Sequence, residues 1–169
     1  MTSRPRARRL LAVVCLLATL ITVGMAGCAI RSTRSASAHA RGIERLAAEY
    51  MAIARRANRR LEHEVGTYRG YAHHDLGAAE TQLRAEAVTE RWFDQRLLRI
   101  QFPGRIAATA HALVAVNNLR IALTERQARA SSIGALLDLT VQHKAADAEV
   151  EVQVRIIRSD LGLPPPLTS

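Results

Sequence analysis

Apolar side chains recur along this chain in steps of three and four. From Ile43 they fall at Leu46, Ala47, Tyr50, Ile53, Ala54, Ala57, Leu61 and Val65, which places them on one face of a helix. Gly66 is positioned to stop that helix, and GTYRGY reads as the loop after it. A second run uses Leu76, Ala79, Leu83, Ala87, Phe93, Leu97 and Ile100, and ends at Phe102-Pro103-Gly104. Proline removes an amide donor and clashes with the preceding turn, yet suits the first position of a new helix. The third run follows with Ile106, Ala110, Leu113, Val116 and Leu123. Ser131 or Ser132 can cap a fourth, which starts near Ile133 and continues to Leu161.

Residues 149–156, EVEVQVRI, alternate like a half-buried strand. No other segment offers a partner, and an isolated strand leaves its backbone hydrogen bonds unmade. Ala146, Val150, Val154, Ile157 and Leu161 also form a helical stripe, so the segment is assigned to helix, with Gly162 and Pro164 as stop and terminator. Four helices of similar length, each roughly 40–45 Å long at 1.5 Å per residue, predict an all-α, antiparallel four-helix bundle. The alternative is three long helices with a bend at Pro103.

The first forty residues follow a different pattern. MTSRPRARR is basic, residues 10–23 (LLAVVCLLATLITV) are apolar, and small residues then lead to Cys28. Met25-Ala26-Gly27-Cys28 resembles the lipobox of bacterial lipoprotein signal peptides, with Met in place of the usual Leu. The resemblance implies cleavage before Cys28 and a diacylglycerol, commonly with palmitate among its acyl chains, on the Cys28 sulfur. It also implies an extracytoplasmic domain at the cell membrane. An uncleaved transmembrane helix over residues 10–30 is the alternative, and it gives the same sidedness because the arginines precede the apolar run. The expected organisation is a signal peptide over 1–27, a flexible tether over 28–41, a helical domain over 42–163 and an extended tail over 164–169. With the signal removed, no segment is expected to hold a bilayer unaided, whereas two or three acyl chains do so at roughly 0.8 kcal/mol per methylene.

Charge adds little to this. Of 24 basic residues, only Lys144 is not arginine, and Arg4, Arg6, Arg8 and Arg9 lie in the signal with no acid nearby. The remainder carries 20 basic against 15 acidic groups. Two cysteines, one of them Cys15 inside the apolar run, provide no disulfide framework and no structural zinc site.

Candidate chemistry is sparse. His73-His74-Asp75 holds adjacent ligand types, but neighbouring side chains on a helix diverge, and Asp75 is better placed as a helix cap. No Glu-x-x-His occurs, which argues against a di-metal carboxylate bundle. Arg55, Arg56, Arg59 and Arg60 form two cationic rows at i, i+4. They read first as a solvated face balanced by Glu62 and Glu64, and alternatively as a site for an anionic envelope polymer. Asn58, Asn117 and Asn118 lie near the apolar stripes, where a buried Asn pair would fix helix register. Tyr50, Trp92 and Phe93 are expected to supply core bulk, with Trp92 at the rim. His63, His111 and His143 are read as having no acid or nucleophile at helical spacing. Neither a nucleophile elbow nor a phosphate-cradling glycine loop is present. Basic residues do not interleave with aromatics, so nucleic acid is a poor partner.

The helices and signal resemble small actinobacterial lipoproteins that have no assigned activity. The expectation is a non-catalytic binding or structural module of the envelope, without cofactor or metal, attached to the membrane through Cys28 and able to meet an envelope protein or anionic polymer. The alternative is a helical carrier with a small-molecule or metal site between its helices.

Overall fold

A computed structural model describes residues 37–63 and 75–166. The lipobox and Cys28, the Gly66 stop with its loop, and the His73-His74 pair lie outside the described residues. The chain divides into two units, Met1–Gly42 and Ile43–Ser169, and every contact below lies within the second.

The protein is all-α, with no strand among the described residues. Helix α1 covers residues 37–63, so residues 37–41, expected in the tether, are helical. Helix α2 spans Leu76–Leu97 and α3 spans Gly104–Ala128. A short α4, Ile133–Leu137, precedes α5, Thr140–Asp160. The alternating segment 149–156 is helical throughout, as the stripe through Val150 and Ile157 requires.

The ends follow local chemistry. Asp75 caps α2, its Oδ1 accepting from the Gly77 and Ala78 amides at 2.9 and 3.1 Å. Between α2 and α3 the chain reverses rather than bends. Pro103 is extended, and Gly104 takes φ +40°, a left-handed value that glycine tolerates. At the end of α5, Gly162 has φ +68°, the Gly162 amide bonds to Ser159 O and the Leu163 amide to Arg158 O, the paired bonds of a Schellman stop.

The fourth helix departs from expectation, being interrupted at Asp138–Leu139. The Leu139 amide bonds to Leu136 O, three residues back, before the regular ladder resumes with His143 to Leu139 O. Both residues keep helical backbone angles, so one tight turn separates α4 from α5. Ser132 caps α4 as expected, its Oγ accepting from the Ala135 amide at 3.1 Å.

Helix α3 packs against both α2 and α5. Asp94 meets Asn117 while Arg91 meets Glu125, so α2 and α3 run antiparallel. Arg105 meets Asp160 while Thr124 meets His143, so α3 and α5 do too. Helix α1 joins them through Tyr50, edge-on to Phe93 of α2 with centroids 6.4 Å apart, and through Met51, whose sulfur lies 3.4 Å from Arg158 Nη1 of α5. The main core gathers Leu46, Tyr50, Leu97, Leu113 and Ile157, and a smaller cluster of Ala79, Leu83, Ala128 and Leu136 holds α4 against the far ends of α2 and α3. By length and composition α3 alone among the described helices could cross a bilayer, contrary to the expectation that no such segment follows the signal. It sits instead between α2 and α5, with Asn117 and Thr124 buried against them.

Candidate functional site

Polar groups interrupt the core stripe of three helices at one level. On α2, Glu90 and Asp94 follow Ala87 in steps of three and four and precede Leu97, so the helix that buries those apolar neighbours buries both carboxyls too. On α3, Asn117, Arg120 and Thr124 occupy the facing positions, and on α5, His143 and Asp147 lie one turn apart. Glu90 and Asn117 are only 3% and 2% exposed.

These side chains form one network. Asn117 Nδ2 donates to Asp94 Oδ1 at 3.0 Å. Arg120 stands between two acids, with Nη2 2.5 Å from Glu90 Oε1 and Nη1 3.4 Å from Asp147 Oδ1. The other Asp147 oxygen accepts from His143 Nδ1 at 3.2 Å, and His143 Nε2 is 2.9 Å from Thr124 Oγ1. His143 therefore does have an acid one turn away, which corrects the sequence reading. Asn117 is buried as expected, but its partner is Asp94 rather than another Asn, and Asn58 and Asn118 are exposed.

Thr124, His143 and Asp147 together have the connectivity of a nucleophile–base–acid series. Thr124 is fully buried, and its hydroxyl is 3.1 Å from Arg120 O, the backbond expected of a mid-helix threonine. In this arrangement the buried hydroxyl is closed to an electrophile.

Burial dominates the electrostatics. It pushes the Glu90 carboxyl up to about 8; Arg120 opposes the shift, while the Glu86 and Asp147 carboxylates add to it. Glu90 is thus largely protonated at neutral pH. Burial also raises Asp94 to about 6, against the Asn117 hydrogen bond and the Arg120 charge. For Asp147 burial is outweighed by the His143 hydrogen bond and the charges of His143 and Arg120, which hold it below the usual carboxylate range.

Beside this network lies a partly open cavity of about 880 Å³. Ala54, Ala57, Leu61, Leu83 and Val154 give it apolar walls, while Glu86, Glu90, Asn117, Arg120, His143 and Asp147 give it a polar side. Among the described residues no donor reaches either Glu90 oxygen, Asn117 Oδ1 or Gln82 Oε1 in hydrogen-bonding geometry, and Arg120 Nε meets no acceptor; the Glu86 carboxylate is placed to accept the Glu90 proton. The Arg120–Glu90 contact is close but off the hydrogen-bonding line, so the two facts agree. Among the described residues no three His, Cys, Asp or Glu side chains converge as a metal site would need.

The arginine rows lie elsewhere on α1, and the Arg56/Arg60 row meets Trp92 of α2. Arg55, Arg56 and Arg59 are exposed and Arg60 is half-buried. Arg56 and Arg60 hold their guanidinium carbons 5.0 and 5.1 Å from the centroid of the Trp92 ring. Trp92 is half-buried at the rim, as expected, whereas Tyr50 is a core residue whose hydroxyl burial pushes up to about 12 against the charge of Arg158. Comparison with protein-family models, curated proteins and solved structures finds no match to this chain.

Proposed function

We propose that this chain is an extracytoplasmic lipoprotein, held at the cell membrane through Cys28, whose helical domain binds a small organic molecule in its interior cavity without transforming it. The attachment rests on the lipobox-like Met25-Ala26-Gly27-Cys28 and the apolar run before it. The binding reading rests on one observation: buried oxygens of Glu90, Asn117 and Gln82 that no donor reaches among the described residues, on side chains lining a cavity of about 880 Å³ whose walls mix apolar and polar residues. Unmet buried acceptors cost about 1–3 kcal/mol each, and pockets of roughly 300–1,000 Å³ with few convergent polar groups are the usual form of a small-molecule site. That favours the carrier reading over a purely structural module. The apolar patches and the polar side, which carries both donors and acceptors, fit a ligand with a hydrocarbon body and a polar end.

Native mass spectrometry of the full chain, extracted from its own envelope in mild detergent, tests both parts. The expected spectrum shows polypeptide beginning at Cys28 with acyl chains, plus a further mass lost on denaturation. A chain beginning at Met1 refutes the anchor. A mass equal to polypeptide and acyl chains alone refutes the carrier reading.

A further inference from the structure

The face where α1 meets α2 carries charge that no carboxylate among the described residues pairs with. Arg56 and Arg60 stand one turn apart on α1, and Val88, Trp92 and Arg96 stand one turn apart on α2. Three guanidinium carbons, those of Arg56, Arg60 and Arg96, lie within 5.0–5.8 Å of the one indole centroid. Among the described residues none of the three forms an ion pair with a carboxylate, whereas Arg84, on the same α2 stripe, is paired with Glu80 at 2.6 Å. Val88 is 61% exposed, and Arg60, Arg84 and Val88 share a shallow hollow beside the cluster.

Three like charges around one ring repel each other, and the negative face of the indole only partly offsets this. An anion with several oxygens placed among them would relieve the crowding and receive forked N–H donors. The apolar members narrow the choice of anion. An exposed valine and a half-buried tryptophan flanked by arginines make up the composition that settles at the headgroup level of a bilayer, with the ring at the boundary and the guanidiniums on phosphate.

We propose that the face formed by Arg56, Arg60, Val88, Trp92 and Arg96 docks on the phosphate-bearing headgroups of an anionic membrane. The choice of a membrane over an acidic protein rests on the proposed lipid anchor, which would keep this face at high local concentration near headgroups. Docking lays the α1–α2 face against the bilayer.

Trp92 is the only tryptophan, so it reports the contact directly. The full acylated chain is reconstituted into phosphatidylcholine vesicles with and without phosphatidylglycerol, each containing a lipid with a nitroxide-labelled headgroup, and Trp92 quenching is read. Strong quenching is expected only with phosphatidylglycerol, weakening as salt is raised. Replacing one arginine by Gln should lower the docked-to-free ratio about fivefold, and R56Q/R60Q by about 25-fold. The exposed Arg129→Gln variant, with unchanged helical circular dichroism, should quench like the parent. Equal quenching in neutral and anionic vesicles overturns the proposal. So does its absence from both in a chain that floats with the vesicles and is helical, which would leave the cluster to an acidic macromolecule. A chain that does not float refutes the anchor alone; the same quenching is then read with the chain added from solution, where phosphatidylglycerol dependence supports the proposal and its lack overturns it.

Discussion

Replacing Glu90 by Gln should make this protein more stable at pH 8 and leave it nearly unchanged at pH 5. Glu90 has an ordinary carboxyl pKa of 4.5 in the unfolded chain and about 8 in the fold. A carboxyl raised by folding contributes stability that is fully present below pH 4.5. That contribution drains away as the unfolded chain ionises and the folded one does not, and it levels off above pH 8. In between, the slope is about 1.4 kcal/mol per pH unit, so a few kcal/mol separate the two ends. Asp94 has the same sign over a lower window, from 3.8 to about 6. Asp147 has the opposite sign, because its lowered pKa adds stability above 3.8 that is lost on acidification. These three groups together place the stability maximum near pH 4, and between pH 6 and 8 only Glu90 contributes a slope.

Glu90→Gln keeps the shape of the protonated acid and cannot ionise. Urea unfolding followed by circular dichroism and Trp92 fluorescence, repeated from pH 4 to 9, should show a falling stability for the parent between pH 6 and 8 and a flat one for E90Q. A variant that retains the slope, or that is destabilised equally at every pH, would show that Glu90 is ionised and paired with Arg120, and the electrostatic account of the site would fail.

Three further outcomes follow from the same contacts. Arg120→Met removes the cation between Glu90 and Asp147 and should cost about 3 kcal/mol; because Arg120 opposes the Glu90 shift, the upper end of the pH slope should also move above 8, both read from the same unfolding series. Leu97→Ala empties a site that is 0% exposed in the main core and should cost about 3–4 kcal/mol by urea unfolding, with little change in the pH slope. Cys28→Ala should abolish metabolic labelling with radioactive palmitate and leave unprocessed precursor, and labelling that persists in the variant would remove the lipoprotein assignment.

Helix periodicity was legible because each helix has an apolar stripe that only one phase explains, and because Asp75, Ser132, Gly104 and Gly162 have local roles that do not depend on distant contacts. The break at Asp138–Leu139 was not, since no proline or glycine stands at those two positions. It arises where Leu136 is drawn into the small cluster with Ala79, Leu83 and Ala128 while Ala146 and Val150 are drawn to the face of α3. The buried network was half legible. Glu90 and Asp94 sit in phase with Ala87 and Leu97, and His143 is four residues before Asp147, so a search for polar residues on the apolar stripe would have found them. The meeting of Arg56, Arg60 and Arg96 on Trp92 needs the pairing of α1 with α2, which no single helix encodes.

The polar groups at the core level do two separable things. Asp94 with Asn117 and Arg120 with Asp147 are contacts between helices, and such pairs fix which turn of one helix faces which turn of the next; a slip by one turn would strand each member in apolar surroundings. Register alone, however, is best served by satisfied partners, and a network built only for it would leave no acceptor idle. Glu90, with neither oxygen accepting a hydrogen bond among the described residues, and Gln82, far from the Asp94–Asn117 contact in sequence and beside the same cavity, add cost without adding register. The two roles therefore come apart under substitution. Asn117→Leu strands Asp94 and should lower stability and loosen the α2–α3 pairing with or without ligand, whereas Glu90→Leu with Gln82→Leu, which removes both polar groups from the cavity, should leave the α2–α3 pairing in place while the mass retained in native spectra disappears. If the double variant keeps that mass, the idle oxygens are not what the cavity offers its guest.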